Sequence, residues 1–259
     1  MLLAIDVGNT EITLGLFAGD RLGAHWRVTT APNRTPDEWA TLLTSFLSYA
    51  GHSTHEVRAA IAASVAPAVT EALLEGVRVA VGVQATEVGP ASRLPIVLDV
   101  DDPLTVGADR VINTLAAAEL YRRDTIVVDF GTATTFDCIT ADGRFLGGVI
   151  APGLRTAAEQ LTRRAAKLPA TELTPPAHAI GRRTEDCIRA GVLFGTADAV
   201  DGIVHRIKGE WPGGREPYVV ATGGLAAKMA ALCRTIEHVE PNLTLLGLKA
   251  AAAHLALSW

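Results

Sequence analysis

Two stretches of this 259-residue chain are alike, and their likeness constrains the fold more than any other feature. The apolar run Leu2 to Ile5 ends in Asp6-Val7-Gly8-Asn9-Thr10, and Ile12 to Phe17 ends in the turn Ala18-Gly19-Asp20-Arg21. Half a chain later, Thr125 to Val128 ends in Asp129-Phe130-Gly131-Thr132-Ala133, and Thr134 to Thr140 ends in Ala141-Asp142-Gly143-Arg144. Asp6 and Asp129, Gly8 and Gly131, and Arg21 and Arg144 all keep an offset of 123 positions. Short apolar runs bounded by Gly, Asn and Asp read as strands joined by turns. Only two copies at so long a spacing exclude a solenoid, whose repeats recur every 20 to 50 residues or so. The repeat predicts two related domains instead, divided here as residues 1–115 and 116–259.

The segments between the copies alternate strand and helix. Trp39, Leu42, Leu43, Phe46 and Leu47 recur at helical intervals within Pro36 to Ala50, and Val57 to Ala63 reads as a buried strand. Gly107 to Tyr121 and Thr184 to Lys208 read as helices, Tyr218 to Ala221 as a strand entering Thr222-Gly223-Gly224, and Leu243 to Leu257 as an Ala-rich closing helix. Aromatics are only 5% of the chain while Ala, Val, Leu and Gly are abundant, which suits helices packed closely on sheets. The fold class is therefore α/β.

Composition narrows the chemistry. A net charge of −5 with dispersed basic residues argues against nucleic acid as a partner. Lys167, Lys208, Lys228 and Lys249 are the only lysines, and none stands in the glycine-rich loop of a Walker-type phosphate site. Cys138, Cys187 and Cys233 are odd in number and widely spaced, which implies neither a disulfide framework nor a zinc site. No basic leader or long apolar run precedes Asp6, and no stretch reaches about 18 apolar residues, so a soluble cytoplasmic protein without membrane association is expected.

An Asp at the end of a buried strand, followed by Gly, Asn and Thr, sets a carboxylate beside backbone N–H and hydroxyl donors. That combination can hold a metal-bound triphosphate: the carboxylate addresses the cation while Gly8 lets the backbone approach phosphate oxygens. One such motif is most simply a hairpin turn; two at a fixed offset, with Thr222-Gly223-Gly224 beyond, favour a nucleotide site. Asp129-Phe130-Gly131 is not a protein-kinase signature, since the accompanying glycine loop, lysine strand and His-Arg-Asp loop are missing. Gly107-Ala108-Asp109-Arg110 opens a helix, where Asp109 reads two ways. It is either a first-turn acid complementing the helix dipole, worth about 0.3–1 kcal/mol, or a general base for a substrate hydroxyl, with Arg110 steadying an anion. His52 and His55 and the paired arginines at 122–123, 163–164 and 182–183 read as solvated faces.

Taken in order, these motifs resemble the type III pantothenate kinases. The likeness runs from Leu2 to about Leu248 through Asp6-Val7-Gly8-Asn9-Thr10, Val106 to Arg110, Val127 to Thr135, Gly147 to Gly153, Ala165 to Pro169, Gly181 to Glu185, and Ala221 to Ala226. It implies the acetate and sugar kinase, heat-shock ATPase and actin superfamily, with two ribonuclease-H-like domains facing a nucleotide cleft. By the same resemblance, Asp6, Val7, Gly8, Asn9, Thr10, Glu11, Ile12 and Thr13 form the first phosphate loop and Thr132 contacts ATP from the second. Asp129 binds a monovalent cation, potassium or ammonium, and Mg2+ accompanies ATP. Val100, Gly107, Ala108, Asp109, Arg110 and Thr184 bind pantothenate, Asp109 accepts its hydroxyl proton, and the pocket lies at a homodimer interface.

Three positions depart from the family pattern. Glu11 stands where neutral residues or His are more usual, Val100 replaces an aromatic residue and Asp102 replaces Asn. The implied activity is ATP-dependent phosphorylation of pantothenate to 4'-phosphopantothenate, the first step of coenzyme A synthesis. The competing readings are a phosphotransferase of the same superfamily acting on another small alcohol, and a non-catalytic nucleotide-binding regulator.

Overall fold

The computed structural model describes residues 1–259, which form two compact units. The first begins with β1 (Leu2–Val7), β2 (Glu11–Ala18), β3 (Arg21–Thr29), α1 (Pro36–Tyr49), β4 (Ala59–Ser64), α2 (Pro67–Val81), β5 (Ala85–Val88), β6 (Val97–Leu98) and α3 (Ala108–Tyr121). β7 (Thr125–Phe130), β8 (Ala133–Ile139), β9 (Arg144–Pro152), α4 (Leu154–Arg164), α5 (Thr184–Glu210), β10 (Tyr218–Thr222), α6 (Ala226–Ala230) and β11 (His238–Val239) follow, and α7 (Leu243–His254) ends the chain.

The two sheets repeat one topology. The first runs β3-β2-β1-β4-β5; in the second, β9-β8-β7-β10-β11 follow in the same relative order. In each, the central strand pairs antiparallel with the hairpin strand after it and parallel with the strand on its other side. The register shows where the 123-residue offset slips. Asp6 faces Thr13 but Asp129 faces Thr135, so the first hairpin tip is one residue longer, and the following turn restores the offset.

In the first unit, β1 is covered on both faces. Leu3, Ile5 and Val7 belong to a core closed by Trp39, Leu43, Leu73 and Val77 of α1 and α2, whereas Leu2 and Ala4 face Ile112, Leu115, Leu248 and Ala251 of α3 and α7. Small residues let these helices approach. A Cβ at Gly247 would stand 2.4 Å from the Ile112 carbonyl oxygen, and one at Gly76 would stand 2.5 Å from Trp39 Cβ. Nearly continuous burial of α7 also explains why Leu243–Trp259 groups with the first unit. The division expected at residues 115 and 116 assigns that segment to the second domain; the observed first unit comprises Met1–Leu120, Gly143–Phe145 and Leu243–Trp259. Periodicity within α7 carries no information about which sheet it covers.

The second unit's core joins Ile126, Val128 and Phe136 to Leu193, Val200 and Val204 of α5. Its buried Asp124 receives the Trp211 indole N–H at 3.0 Å, the Ala141 backbone N–H at 2.9 Å and the Arg215 Nε at 3.1 Å. A buried carboxylate so satisfied is structural. Asp201 of α5 likewise accepts the backbone N–H groups of Arg234 and Thr235 and the Thr235 hydroxyl. Burial opposes its charge, but these donors outweigh burial and hold its pKa below the ordinary value. Asp201→Ala is expected to cost about 1–2 kcal/mol at neutral pH, solvent screening keeping the loss below the sum of the bonds. Because the folded pKa is depressed, the contribution is complete above the unfolded pKa of roughly 3.9 and disappears as pH falls through the folded value. Denaturant unfolding of both proteins at several pH values should show the gap closing in acid.

Candidate functional site

Asp6 and Asp129 occupy equivalent positions. Each is half-buried at the penultimate residue of a central strand, with a threonine opposite on the hairpin strand, Thr13 or Thr135. On the parallel side, Asp6 neighbours Ala63 and Asp129 neighbours Thr222. The first tip closes when the Gly8 N–H donates to the Glu11 carbonyl at 3.1 Å, and the second when the Gly131 N–H donates to the Ala133 carbonyl at 3.0 Å. A Cβ at Gly8 would lie 2.7 Å from the Glu11 oxygen, which explains glycine there. Asn9, Thr10, Glu11 and Thr132 are left exposed at the two tips, while Val7 and Ile12 anchor the first in the core.

Residues outside the two hairpin tips hold them in place. Thr30, just beyond β3, donates its hydroxyl to the Gly8 carbonyl at 2.7 Å and its N–H to the Thr10 carbonyl at 2.9 Å. In the second unit, Gly153 donates to the Thr132 carbonyl at 3.2 Å, and the Thr156 hydroxyl donates to the same oxygen at 2.8 Å. A Cβ on Gly153 would stand 2.3 Å from that oxygen. Gly153 closes the Gly147 to Gly153 stretch that carries the family resemblance, whereas Thr30 has no signal in the sequence.

Packing brings Asp109 toward the first tip. The Val65 N–H donates to the Val7 carbonyl at 3.0 Å, one residue before Gly8, and a Cβ on Gly107 would lie 3.5 Å from Val65 Cγ1. The same Cβ would lie 2.5 Å from Asp109 Oδ1, so glycine makes the space that this carboxylate occupies. Asp109 accepts the Arg110 backbone N–H at 2.8 Å. Burial raises its pKa above the ordinary value, against the opposing pull of that N–H and of the Arg110 charge. A carboxyl set into low-dielectric surroundings at a helix start is a more effective proton acceptor than a solvated one.

Val100 and Arg110 converge within the same unit. The Asp99 N–H donates to the Phe145 carbonyl at 2.9 Å, placing half-buried Val100 next to this pairing, and the Arg110 guanidinium lies 5.1 Å from the Phe145 ring centroid. Ala108 is buried in the first unit's core. Thr184 is exposed at the first position of α5 and belongs to the second unit. Asp129 is positioned by the Thr222-Gly223-Gly224 turn. Gly223 has φ of +91°, and its Cβ would stand 2.4 Å from Asp129 Oδ1.

Comparison with known proteins accords with this geometry. The family model for type III pantothenate kinase matches residues 2–206. A type III pantothenate kinase of Moorella thermoacetica is 45% identical over 96% of this chain and 97% of its own length. The chain belongs to the type III pantothenate kinase family. It is therefore a phosphotransferase with an alcohol acceptor, and pantothenate and ATP are its substrates. Among solved structures, component A of the Acidaminococcus fermentans (R)-2-hydroxyglutaryl-CoA dehydratase has a TM-score of 0.57 at 17% identity, covering 98% of this chain and 96% of that one. The ROK hexokinase of Thermus thermophilus has a TM-score of 0.52 at 17% identity, covering 96% and 97%. Likeness at such identity speaks to the fold, and it agrees with the actin-like ATPase and sugar kinase architecture. This pantothenate kinase fold thus carries the duplicated strand-end aspartates on two copies of one topology.

Proposed function

We propose that this chain transfers the γ-phosphoryl group of ATP to the primary hydroxyl of pantothenate, with Asp109 accepting the hydroxyl proton. The observation that carries the assignment is the Asp109 carboxyl in the space left by Gly107, joined through Val65 to the strand end that precedes Gly8. Phosphoryl transfer asks little covalent help of a protein, so positioning and charge stabilisation supply most of the rate. Asp109 orients the hydroxyl and takes its proton as the bond to phosphorus forms. Asp6 to Thr13 and Thr132 hold the triphosphate. Val100, Gly107, Ala108, Arg110 and Thr184 hold pantothenate, Val100 by apolar packing.

Asp6 would hold the Mg2+ that accompanies ATP, and Asp129 the potassium or ammonium ion. Their hard carboxylate oxygens suit such cations, and glycine at 223 spares Asp129 Oδ1 the collision that a Cβ 2.4 Å away would bring. When bound, the ions neutralise charge on the phosphates. A homodimer belongs to the same proposal. Gly191, Gly195, Gly202 and Gly209 form one exposed stripe on α5 with nothing within 4 Å of their Cβ positions, although each glycine costs a helix about 1 kcal/mol. We place the enzyme in the cytoplasm, with neither nucleic acid nor membrane as partner; no helix is long and apolar enough to cross a membrane.

The test is an assay of pantothenate phosphorylation with ATP in potassium, ammonium or sodium salts. Turnover is expected with potassium or ammonium, and sodium is expected to raise the apparent ATP requirement sharply. Equal rates in all three salts reject the monovalent site, and turnover of another alcohol without turnover of pantothenate rejects the acceptor.

A further inference from the structure

Residues 165–183, between α4 and α5, contain neither helix nor strand. A stretch of that length without regular structure needs specific tethers or a function. Leu168 and Leu173 pack on the second unit's core, and the Thr162 hydroxyl of α4 donates to the Pro169 carbonyl at 3.5 Å. Ala170 and Thr171 line a groove of about 260 Å³ together with Ala158, Thr162 and Ile188. Residues 177–180 are exposed, so packing alone does not fix this strap.

Two cations on different helices grip it at adjacent carbonyls. The Arg189 Nε of α5 donates to the Glu172 carbonyl at 3.0 Å, and the Lys228 Nζ of α6 donates to the Leu173 carbonyl at 2.5 Å. Lys228 is a half-buried member of a set of four lysines, and its ammonium is directed at a backbone oxygen. Arg189 is itself steadied by Asp186 Oδ1 at 3.2 Å. Downstream, the strap ends against the first turn of α5. A Cβ on Gly181 would lie 2.5 Å from the Cys187 nitrogen, and the Cys187 thiol faces the Gly181 carbonyl at 3.5 Å. The strap is thus held in its middle and at its end, and the next element begins at Thr184.

We propose that Lys228, with Arg189, is a positioning residue for pantothenate binding: by clamping the Glu172 and Leu173 carbonyls it fixes the strap, and through it the Thr184 end of α5. The inference rests on the reading of Thr184 as a pantothenate contact. Lys228 touches no substrate; it acts through the strap. The clamp therefore belongs to acceptor affinity, and its loss raises the KM for pantothenate more than it lowers kcat, leaving the KM for ATP in place.

Steady-state kinetics of Lys228→Met, Lys228→Arg and Thr184→Ala test this. Lys228→Met is expected to raise the pantothenate KM on the order of tenfold while the ATP KM stays within about twofold, and Lys228→Arg, which keeps a cationic donor, is expected to restore most of the loss. An unchanged pantothenate KM in Lys228→Met, or equal rises in both KM values, overturns the clamp. Thr184→Ala separates the two ideas: no effect on pantothenate KM rejects the reading of Thr184, whereas an effect there beside an inert Lys228→Met rejects the clamp alone. Should Lys228→Met fail to fold, Arg189→Gln, read by the same two KM values, still decides: a rise confined to pantothenate supports the clamp, and an unchanged pantothenate KM or equal rises in both overturn it.

Discussion

Asp109→Asn is expected to lose at least about a hundredfold in kcat, the contribution of a positioned general base, without losing stability. The two halves of this expectation have one cause. Burial raises the carboxyl pKa, so the fold favours the protonated form and ionisation of Asp109 opposes folding. This is the reverse of the usual carboxylate: the stability contribution is present at low pH and lost as pH rises through the folded pKa. An asparagine keeps the shape beside Gly107 and removes the charge, so its thermal unfolding temperature should equal or exceed that of the wild type at neutral pH. Catalysis runs the other way, because a base must be ionised to accept a proton. The acid limb of the kcat/KM profile should therefore lie above the range of an ordinary carboxylate and be missing from the residual activity of the variant. Near-wild-type turnover rejects Asp109 as the proton acceptor. A large drop in both activity and stability assigns it instead to the helix start, as a dipole-complementing acid whose removal costs the fold.

Much of this arrangement was written locally. The constant offset between Asp6 and Asp129 and between Gly8 and Gly131 gave the duplication, and the repeated strand order is its three-dimensional form. The offset did not reveal that the first tip is longer by one residue, since a paired slip at the tip and the next turn leaves the arginines aligned. Helices with one apolar face, such as α1, were readable from spacing, as was the start of α5. Short α6 and the two-residue strands β6 and β11 have too few residues for any period to show. Side of packing was harder still. The apolar residues of α7 surround the helix, so neither its sheet nor its unit could be read from the pattern. For the site, residue types were legible and proximity was not: Gly107 is informative only once Asp109 Oδ1 is seen in the volume of its absent Cβ. Thr30 and Lys228 act through backbone carbonyls, which every residue possesses, and so they leave no mark on the sequence around their partners.

Gly223→Ala is the second substitution expected to have a large effect, and its controls can separate conformation from contact. Gly223 has φ of +91°, and a Cβ there would lie 2.4 Å from Asp129 Oδ1 and 2.8 Å from both the nitrogen and the oxygen of Phe130. Gly51 also has a positive φ, +79°, but nothing within 4 Å of its Cβ position. Gly51→Ala therefore reports backbone strain alone, about 1–2 kcal/mol. Gly223→Ala adds a collision with the backbone of a buried strand, which cannot be relieved by rotating one side chain, and should cost more in a denaturant titration. The functional consequence is more specific. Relieving the clash displaces the Asp129 carboxylate, so Gly223→Ala should abolish the difference between potassium and sodium in the ATP requirement, as Asp129→Ala should by removing the carboxylate itself. Gly51→Ala should keep that difference. A folded Gly223→Ala enzyme that still distinguishes potassium from sodium would show that the ion does not depend on the position of Asp129, and the cation assignment would then have to leave this strand end.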